Sequence, residues 1–516
     1  MKNRILFLLL AVGALAGNFG CDDELDIVDP NRLSSAQFYV NADQAVAAVD
    51  AIYNTLIIDG LYQRMTPVYN DGRGDEVSSR SPWIFFTGIS SFTLPPTIGD
   101  LDIFWHGHYI LIGRANQALE NIPNVEDIDG DLRDRLLGQA YFLRALAYFK
   151  LTNTHGNVPI ILNTPQGGDD FYPSNEGVTR EDVYAQVKND LQNAIDRLPL
   201  SYDNVSGQDA GQEGRATLGA ANALMGTVFL YEGNYTGALP YFQAVVESGE
   251  YALAANYADL FSQDPGTEAA NPGKIFWADF TTSAAAEFNW GGDPNVNWRQ
   301  FLAITPTYSV GDFYDFIPTP FLYEEMRKER TVDGHLDPRY HSTILSYEPD
   351  DGYTTAYGVD WFERGFAEDA YFIKKYTNAV NGTDAFTAGF DYHIIRYADV
   401  LLLYAECLAN TGDVAAAAGY VQQVRDRANL PDREAEFAGY SLQQFMDQLE
   451  HERIMELAIE GKRWWDIRRW GKLENDLQEL QAHDFEFDTY TPRWDVVPIP
   501  QAELDRNQNL VGNSAN

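Results

Sequence analysis

Two irregular segments of the chain concentrate aromatic rings and planar polar side chains, residue types that can hold a flat polar ligand without covalent chemistry. An aromatic ring can stack on the apolar C–H face of a sugar, while arginine, asparagine and aspartate can make paired hydrogen bonds to its hydroxyl groups. The candidates are Asn70, Arg73, Asp75, Arg80 and Trp83 in residues 69–100, and Trp290, Asn295, Trp298, Arg299 and Tyr308 in residues 288–320. The pattern favours weak binding of an oligosaccharide on an open surface.

Other kinds of chemistry find less support in the sequence. His106 and His108 are separated by one residue on a predicted helix, so their side chains diverge, and we find no acidic partner at ligand spacing within that helix. The acidic stretch 127–134 lacks the terminal glutamate of a calcium loop and predicts a turn followed by a helix start. A glycosidase needs a positioned pair of carboxyl groups, but 76 acidic residues make any such pair uninformative. We predict no metal, no cofactor and no enzymatic activity.

The stretch EGKRWWDIRRWG, residues 460–471, combines three tryptophans with four basic residues and superficially resembles a nucleic-acid surface. The whole chain has 36 basic and 76 acidic residues and a net charge of -40, which repels a phosphate backbone. We instead predict a structural helix that ends near Gly471. Its apolar face would hold Ile454, Leu457, Ala458, Trp464, Trp465 and Ile467, and its ion pairs at helical spacing would come from Glu452, Arg453, Glu456, Glu460, Arg463, Asp466 and Arg468.

The amino terminus is predicted to be an export signal. Lys2 and Arg4 precede an apolar run over residues 5–16, which is shorter than the roughly 20 residues that span a bilayer. Cleavage could follow the small residues at 14–16, or could precede Cys21 with lipidation of its thiol. We favour lipidation, because Cys21 would otherwise be an unpaired thiol in an exported protein.

Helical spacing begins after Asn41, which we predict to cap the first helix, and it dominates much of the chain up to residue 250 and again after residue 390. Residues 223–251 place small and bulky residues at the offsets of a tetratricopeptide (TPR) repeat, with Gly226 on the first helix, Gly233 in the turn and Phe242 on the second helix. Residues 404–430 repeat the scheme, and residues 142–149 and 184–199 form a degraded copy split by an insertion. The sequence therefore predicts a mainly α-helical fold of TPR-like hairpins, an α-α superhelix, with a loop-rich portion between residues 250 and 390.

An ordered set of motifs resembles the SusD/RagB family of outer-membrane lipoproteins in Bacteroidetes. These motifs are GQAYFLRALAYFKLTNTHGNVPII at 138–161, RYADVLLLYAE at 396–406, ERIMELAIEGKRWWDIRRWG at 452–471 and PIPQAELDRNQNL at 498–510. The acidic residues after Cys21 are similar to the export signal of surface lipoproteins in that group. The resemblance covers nearly the whole mature chain and implies four TPR-like hairpins with a loop-rich ligand-binding portion packed against them.

The resemblance also implies a function and a partner. SusD-like proteins bind mostly glycans, and peptides in some members, and they cap a SusC-like TonB-dependent transporter. We therefore expect a signal peptide at 1–20, a SusD-like amino-terminal region at 21–250, a loop-rich insert at 251–390 and a carboxyl-terminal region at 391–516. The expected protein is a surface lipoprotein of the outer membrane that captures a glycan. A peptide-binding subunit and a TPR-like scaffold without a ligand of its own are the alternatives.

Overall fold

The fold was obtained as a computed structural model, which describes residues 38–262, 264, 266–267, 271–280, 315–377 and 389–516. Helices dominate these residues, as predicted. In chain order the α-helices are α1 (Ala42–Asn54), α2 (Met65–Asp71), α3 (Ile84–Ser90), α4 (Gly99–Asn121), α5 (Gly130–His155), α6 (Arg180–Ile195), α7 (Leu218–Tyr231), α8 (Tyr235–Val246), α9 (Pro320–Met326), α10 (Pro338–Thr343), α11 (Tyr397–Asn410), α12 (Val414–Arg427), α13 (Glu434–Phe437), α14 (Leu442–Leu457), α15 (Arg463–Arg469), α16 (Lys472–Asn475), α17 (Leu477–His483) and α18 (Gln501–Arg506).

Short polar residues start several of these helices by accepting a hydrogen bond from a backbone amide that has no partner within the helix. The side chain of Asn41 accepts from the amide of Gln44 at the start of α1, as its position in the sequence predicts. Thr179 and Ser441 form reciprocal capping boxes at α6 and α14. Asp129 caps α5, so the acidic stretch 127–134 forms the predicted turn and helix start.

The helices pack as antiparallel hairpins, which confirms the TPR-like prediction. In the pair α7–α8, a Cβ atom on Gly226 would lie 2.8 Å from the ring of Phe242, so only glycine permits this close approach. Gly233 makes the turn in the left-handed region at φ 72°, as Gly412 does between α11 and α12 at φ 99°. Helices α5 and α6 also pack together, which confirms the degraded copy.

The described strands form four two-stranded antiparallel sheets. The pairs are β1 (Val77–Ser79) with β3 (Phe316–Pro318), β2 (Lys274–Ala278) with β8 (Tyr392–Arg396), β4 (Ile344–Ser346) with β7 (Tyr371–Ile373), and β5 (Thr355–Ala356) with β6 (Val359–Asp360). The β1–β3 pair joins the first predicted ligand segment to the end of the second. The predicted boundaries at residues 250 and 390 stay predictions, although β2 and β8 pair across residue 390.

The loop-rich portion contains a small hydrophobic core of its own. Trp361 is fully buried there with Leu345 and Ala356, and its indole N–H donates to the carbonyl of Ala367 over 2.7 Å. This ring anchors the loops against one another and therefore stabilises the portion from within.

The stretch 460–471 is structural, as predicted, but two details of the prediction are wrong. Helix α14 ends at Leu457 and α15 begins at Arg463, because Ile459 and Gly461 adopt positive φ angles of 62° and 69°. The apolar side chains on both sides of this break are buried, and Gly471 follows α15 in the left-handed region.

The charged side chains of this stretch mostly pair with distant residues, whereas we predicted pairs at helical spacing. Glu456 contacts Arg339, Arg396 and Arg427, and Glu460 contacts Lys375 and Arg396. The break in the helix turns these side chains toward other elements, so they join the carboxyl-terminal region to the loop-rich portion. The pair of Asp466 with Arg469 does follow helical spacing.

One described run, Ala42–Gln63, has the length and composition of a membrane span, which the sequence-based prediction did not anticipate. In the structure 67% of its most apolar window is buried, and α1 packs against α4 and α5. The run is therefore accounted for as a core segment.

Candidate functional site

The first predicted ligand segment begins with a buried root, residues 70–79, which is followed by a tip, residues 80–84, that is exposed except for Ser81. In the root, the side-chain oxygen of Asn70 accepts a hydrogen bond from the indole N–H of Trp465 over 3.1 Å. The guanidinium of Arg73 lies 4.0 Å from the centre of the Trp464 ring and donates to the carbonyl of Trp494. Asn70 and Arg73 are only 3% exposed, so their predicted contact with a ligand is corrected to a structural role.

Asp75 is the strongest anchor of the root. Its fully buried carboxylate accepts from Arg463 over 2.6 and 2.8 Å and contacts Nδ1 of His483 at 2.8 Å. Burial alone would raise the pKa of Asp75, but the charge and hydrogen bonds of Arg463 outweigh it and hold that pKa well below its usual range. Asp75 is therefore held in a buried ion pair with Arg463. Its predicted contact with a ligand is also corrected to a structural role.

The tip projects from the root at the end of β1 and carries Arg80 and Trp83 to the surface. The backbone is held by Ser81, whose hydroxyl accepts from the amide of Trp83 over 3.1 Å and whose carbonyl accepts from the hydroxyl of Thr87 over 2.8 Å. Trp83 is 44% exposed, and the neighbouring Ile84 is 66% exposed. One face of the Trp83 ring packs against Phe86, at 5.7 Å between ring centres. The exposed part of this indole can contact a ligand.

Several polar groups surround the tip. The amide of Arg80 donates to the carbonyl of Asp315 over 2.8 Å, next to the β1–β3 pair. Asp484 and Glu486 lie beneath β1, where Asp484 accepts from the hydroxyl of Ser78 over 2.9 Å. Burial raises the pKa of Asp484 to about 6 and that of Glu486 to about 7, and repulsion from Asp484 contributes to the second shift.

The sequence-based prediction missed other aromatic residues near the tip. Tyr323 and Tyr371 stack with their ring centres 4.1 Å apart, and the charge of Arg80 acts on Tyr371. Phe485 is 59% exposed and lies between Asp484 and Glu486. Nothing in local spacing singled out these residues, because they reach the tip only through the β4–β7 and β1–β3 pairings and the packing of the segment after α17.

The remaining site predictions lie outside the described residues. They are Trp290, Asn295, Trp298, Arg299 and Tyr308 in the second ligand segment, and the lipidation candidate Cys21. Asp315, where the described chain resumes, lies beside the tip. The described end of the second segment, residues 315–320, therefore begins beside the tip.

His106 does have acidic neighbours, contrary to the prediction. Nδ1 of His106 lies 3.4 Å from Asp102, one turn earlier on α4, and Nε2 lies 3.1 Å from Glu503 on α18. The two carboxylates contact opposite edges of the ring, and Arg506 pairs with Glu503. These contacts form an ion-pair cluster that joins α4 to α18.

A large cleft in the described part of the chain does not coincide with the tip. It encloses about 1180 Å³ between α9, α14 and α17, and its lining includes Phe321, Glu450, Trp470 and His483. The tip is instead an open shelf formed by an exposed indole, a guanidinium and nearby tyrosines. A ligand can stack on the rings of such a shelf and form hydrogen bonds with its polar groups.

Comparison with known proteins matches two family models to the chain. The model of the SusD family covers residues 248–515, more than half of the chain. A second model, described as starch-binding associating with outer membrane, covers residues 36–230.

The chain belongs to the SusD family.

Relatives and solved structures agree with this assignment over almost the full length. A SusD-like protein of Formosa agariphila is 24% identical over 548 aligned residues, which cover 100% of this chain and 98% of the relative. The structure of a SusD superfamily protein from Bacteroides vulgatus is 25% identical, with a TM-score of 0.79, and the match covers 93% of this chain and 100% of that one. A laminarin-binding SusD-like protein is 26% identical, with a TM-score of 0.72, and the match covers 92% and 99%.

The described geometry agrees with membership of the SusD family. The hairpins and the loop-rich portion form the fold that SusD superfamily structures share. Within this frame, the tip around Trp83 is the described part of the predicted ligand surface that reaches solvent.

Proposed function

We propose that this SusD-family protein captures an oligosaccharide or polysaccharide at the cell surface and delivers it to a SusC-like TonB-dependent transporter. The observation that carries the proposal is the exposed indole of Trp83 beside Arg80, held on a root that is buried in the core. A rigid shelf loses little conformational entropy when a sugar stacks on it, so even a few contacts can retain a polymer. The proposal includes no covalent step.

The ligand class is supported by the chemistry of the shelf and by the family. One family model is described as starch-binding, and a relative of known structure is described as laminarin-binding. Both glycans are neutral, which suits a chain with a net charge of -40. We include Trp290, Trp298, Tyr308 and Arg299 in the proposed surface, because their segment leads into Asp315 beside the tip.

The proposed location is the outer membrane, with an anchor formed by lipidation of Cys21. The description of the second family model supports association with that membrane. A single acyl chain gives only marginal binding, whereas several chains on one cysteine would hold the protein firmly. Labelling of the wild-type protein and of Cys21→Ser with a palmitate analogue tests the anchor. If Cys21 is lipidated, only the wild-type protein should carry the label.

A binding experiment with the purified protein tests ligand capture. The protein is run on native gels that contain laminarin, starch or a control polymer without sugars, and is titrated in parallel with a mixture of short peptides. Retardation by at least one glycan with no response to peptides is the expected result. Binding of peptides alone would overturn the glycan proposal in favour of a peptide-binding subunit.

Co-purification from outer membranes tests the delivery step. Gentle solubilisation is expected to recover a TonB-dependent barrel protein together with this chain. Recovery of the barrel by a protein that binds neither glycan nor peptide would indicate a scaffold without a ligand of its own. Recovery of the chain alone would contradict the transporter partner.

A further inference from the structure

A second, smaller pocket lies against Trp465, whose indole N–H donates to Asn70 in the root of the tip. It has a volume of about 360 Å³ and lies between the end of α5, the start of α6, the α7–α8 turn and α15. Its walls include the side chains of Tyr184, Tyr231 and Trp465, together with Arg180 and Arg468. A volume of this size lies at the lower end of the range for small-molecule sites, roughly 300 to 1,000 Å³.

Arg468 differs from the other three basic residues of the stretch 460–471. Lys462 contacts Asp399 at 2.9 Å, Arg463 pairs with Asp75, and Arg469 pairs with Asp466 at 2.7 Å and with Glu406. Within the described residues, Arg468 has no carboxylate within 4.0 Å. Its guanidinium donates to the carbonyl of Asn153 over 3.0 Å and leaves further donors toward the pocket.

Arg180 contributes a second guanidinium group to the same wall, and it too has no carboxylate within 4.0 Å among the described residues. Its Nε atom is buried and has no hydrogen-bond partner among the described residues, and no ion pair reaches it there either. A buried donor without a partner is costly and calls for a specific explanation. Burial lowers the pKa of Arg468 to about 10, and repulsion from the charge of Arg180 adds to that shift.

The acidic groups of the pocket do not neutralise these arginines directly. Glu232 is engaged by Lys188 at 2.7 Å, and Asp495 accepts from the hydroxyl of Tyr490. Glu474 is exposed at the rim. Asp495 attracts Arg468 electrostatically, but neither Asp495 nor Glu474 approaches either guanidinium within 4.0 Å in the described chain. In a protein with a net charge of -40, two arginines that line one cavity without a carboxylate paired to either of them are unusual.

We propose that this pocket binds an oxyanion, a carboxylate or sulfate group, between the guanidinium groups of Arg180 and Arg468. Planar guanidinium groups form paired, charge-assisted hydrogen bonds with such anions, and these bonds are stronger than those between neutral groups. The rings of Tyr184, Tyr231 and Trp465 leave room for a sugar ring that carries the acid. The site is distinct from the shelf at Trp83, so it goes beyond the capture of a neutral glycan.

Calorimetric titration of the whole protein at constant ionic strength tests the proposal. The probes are sulfate, glucuronate, glucose and chloride, and the variants are Arg180→Gln and Arg468→Gln. Exposed Arg330→Gln, which lies on a different element, is the matched control. Sulfate or glucuronate should bind the wild-type protein and the control, and affinity should fall by about tenfold or more in each pocket variant. Tighter binding of glucuronate would identify an acidic sugar as the ligand, whereas binding of sulfate alone would identify a free anion.

Two results would overturn the proposal. One is the absence of any response of the wild-type protein to sulfate or glucuronate beyond that to chloride. The other is a response that persists in both pocket variants. Circular dichroism and retention by a neutral glycan are measured on each variant, and at least one variant should keep both. These controls separate loss of the anion site from loss of the fold, and a failure of the glycan proposal would leave the anion titration unaffected.

Discussion

The carboxylate of Asp75 and the guanidinium of Arg463 form a bidentate ion pair between residues that are 388 positions apart in the sequence. Both side chains are buried, at 0% and 3% exposure. Arg463 also contacts Glu450 over 2.7 Å, and His483 completes the surroundings of Asp75. The pair joins the root of the ligand tip to the motif at residues 452–471. It explains how an exposed tip stays in a fixed position.

Replacement of Asp75 by asparagine should strongly destabilise the protein. The change removes one charge of a buried pair and leaves Arg463 without its bidentate partner, which typically costs about 3 to 5 kcal/mol. The free energy of unfolding, measured by urea denaturation, should fall by that amount. Glu436→Gln, which removes a surface pair with Arg433, is the control and should change stability little. Equal effects of the two substitutions would contradict the anchoring role of Asp75.

Replacement of Trp83 by alanine should weaken glycan binding and leave the fold intact. The ring is 44% exposed, and loss of one stacking contact should cost about 1 to 2 kcal/mol of binding, or roughly five- to thirtyfold in affinity. The melting temperature should stay within a few degrees of the wild-type value, about the scatter expected for a surface substitution. Affinity electrophoresis and differential scanning calorimetry measure the two quantities.

Trp361→Ala is the matched control for Trp83→Ala, because Trp361 is fully buried in the small core of the loop-rich portion. Its removal should lower stability by about 3 to 5 kcal/mol, the usual range for a buried tryptophan. Wild-type glycan retention by Trp83→Ala would remove this ring from the proposed surface. The series can be extended to Trp290→Ala and Trp298→Ala with the same two measurements.

Much of the frame could be predicted from the sequence because its signals are local. Caps such as Asn41, the small residue Gly226 and the turn at Gly233 each act within one helix or one hairpin, and each lies where the pattern placed it. The break after Leu457 was missed because it depends on the positive φ angle of Ile459, a residue type that rarely adopts one.

The candidate site was predicted less well, for a physical reason. Arg73 and Arg80 share the same residue type and the same irregular segment, yet one is buried over Trp464 and the other is exposed. The difference depends on partners from distant parts of the chain, such as Trp494 for Arg73 and Asp315 for Arg80. Composition can therefore indicate a ligand-binding segment, while its division into root and tip requires the tertiary structure.

Stability should depend on pH through His451, which bridges two carboxylates. Nδ1 lies 2.6 Å from Glu325 and Nε2 lies 3.4 Å from Glu329. Burial alone would lower the pKa of His451, but the hydrogen bonds with Glu325 and Glu329 and the charges of Glu452 and Glu325 outweigh it and raise that pKa to about 9. The unfolded value is about 6.5. The stabilising contribution is therefore complete below about pH 6.5 and is lost as pH rises through 9.

Comparison of the wild-type protein with His451→Gln isolates this contribution. The difference in free energy of unfolding should be largest near pH 6, at roughly 3 kcal/mol or less, and should shrink at pH 9.5. Both pH values lie above the range where Glu325 and Glu329 titrate, since the pKa of each is lowered to about 2. A difference that stays constant between the two pH values would show that His451 does not act as a charged bridge.

Glycine is required at position 461 for two separate reasons, and Gly233 provides a control that shares only one of them. Both residues have positive φ angles, 69° and 72°. A Cβ atom at 461 would lie 2.8 Å from the hydroxyl of Tyr392 and 2.9 Å from Cβ of Asn70, whereas one at 233 would meet nothing within 4 Å. Gly233→Ala should therefore cost about 1 kcal/mol through backbone strain alone. Gly461→Ala should cost about 2 to 5 kcal/mol, because overpacking adds to the same strain.

Because Gly461 also donates its amide to Asp71 over 2.7 Å, its displacement should disturb the root of the ligand tip and reduce glycan retention. Urea denaturation and affinity electrophoresis of both variants give the comparison, and similar losses of stability would show that the close packing at 461 relaxes without penalty.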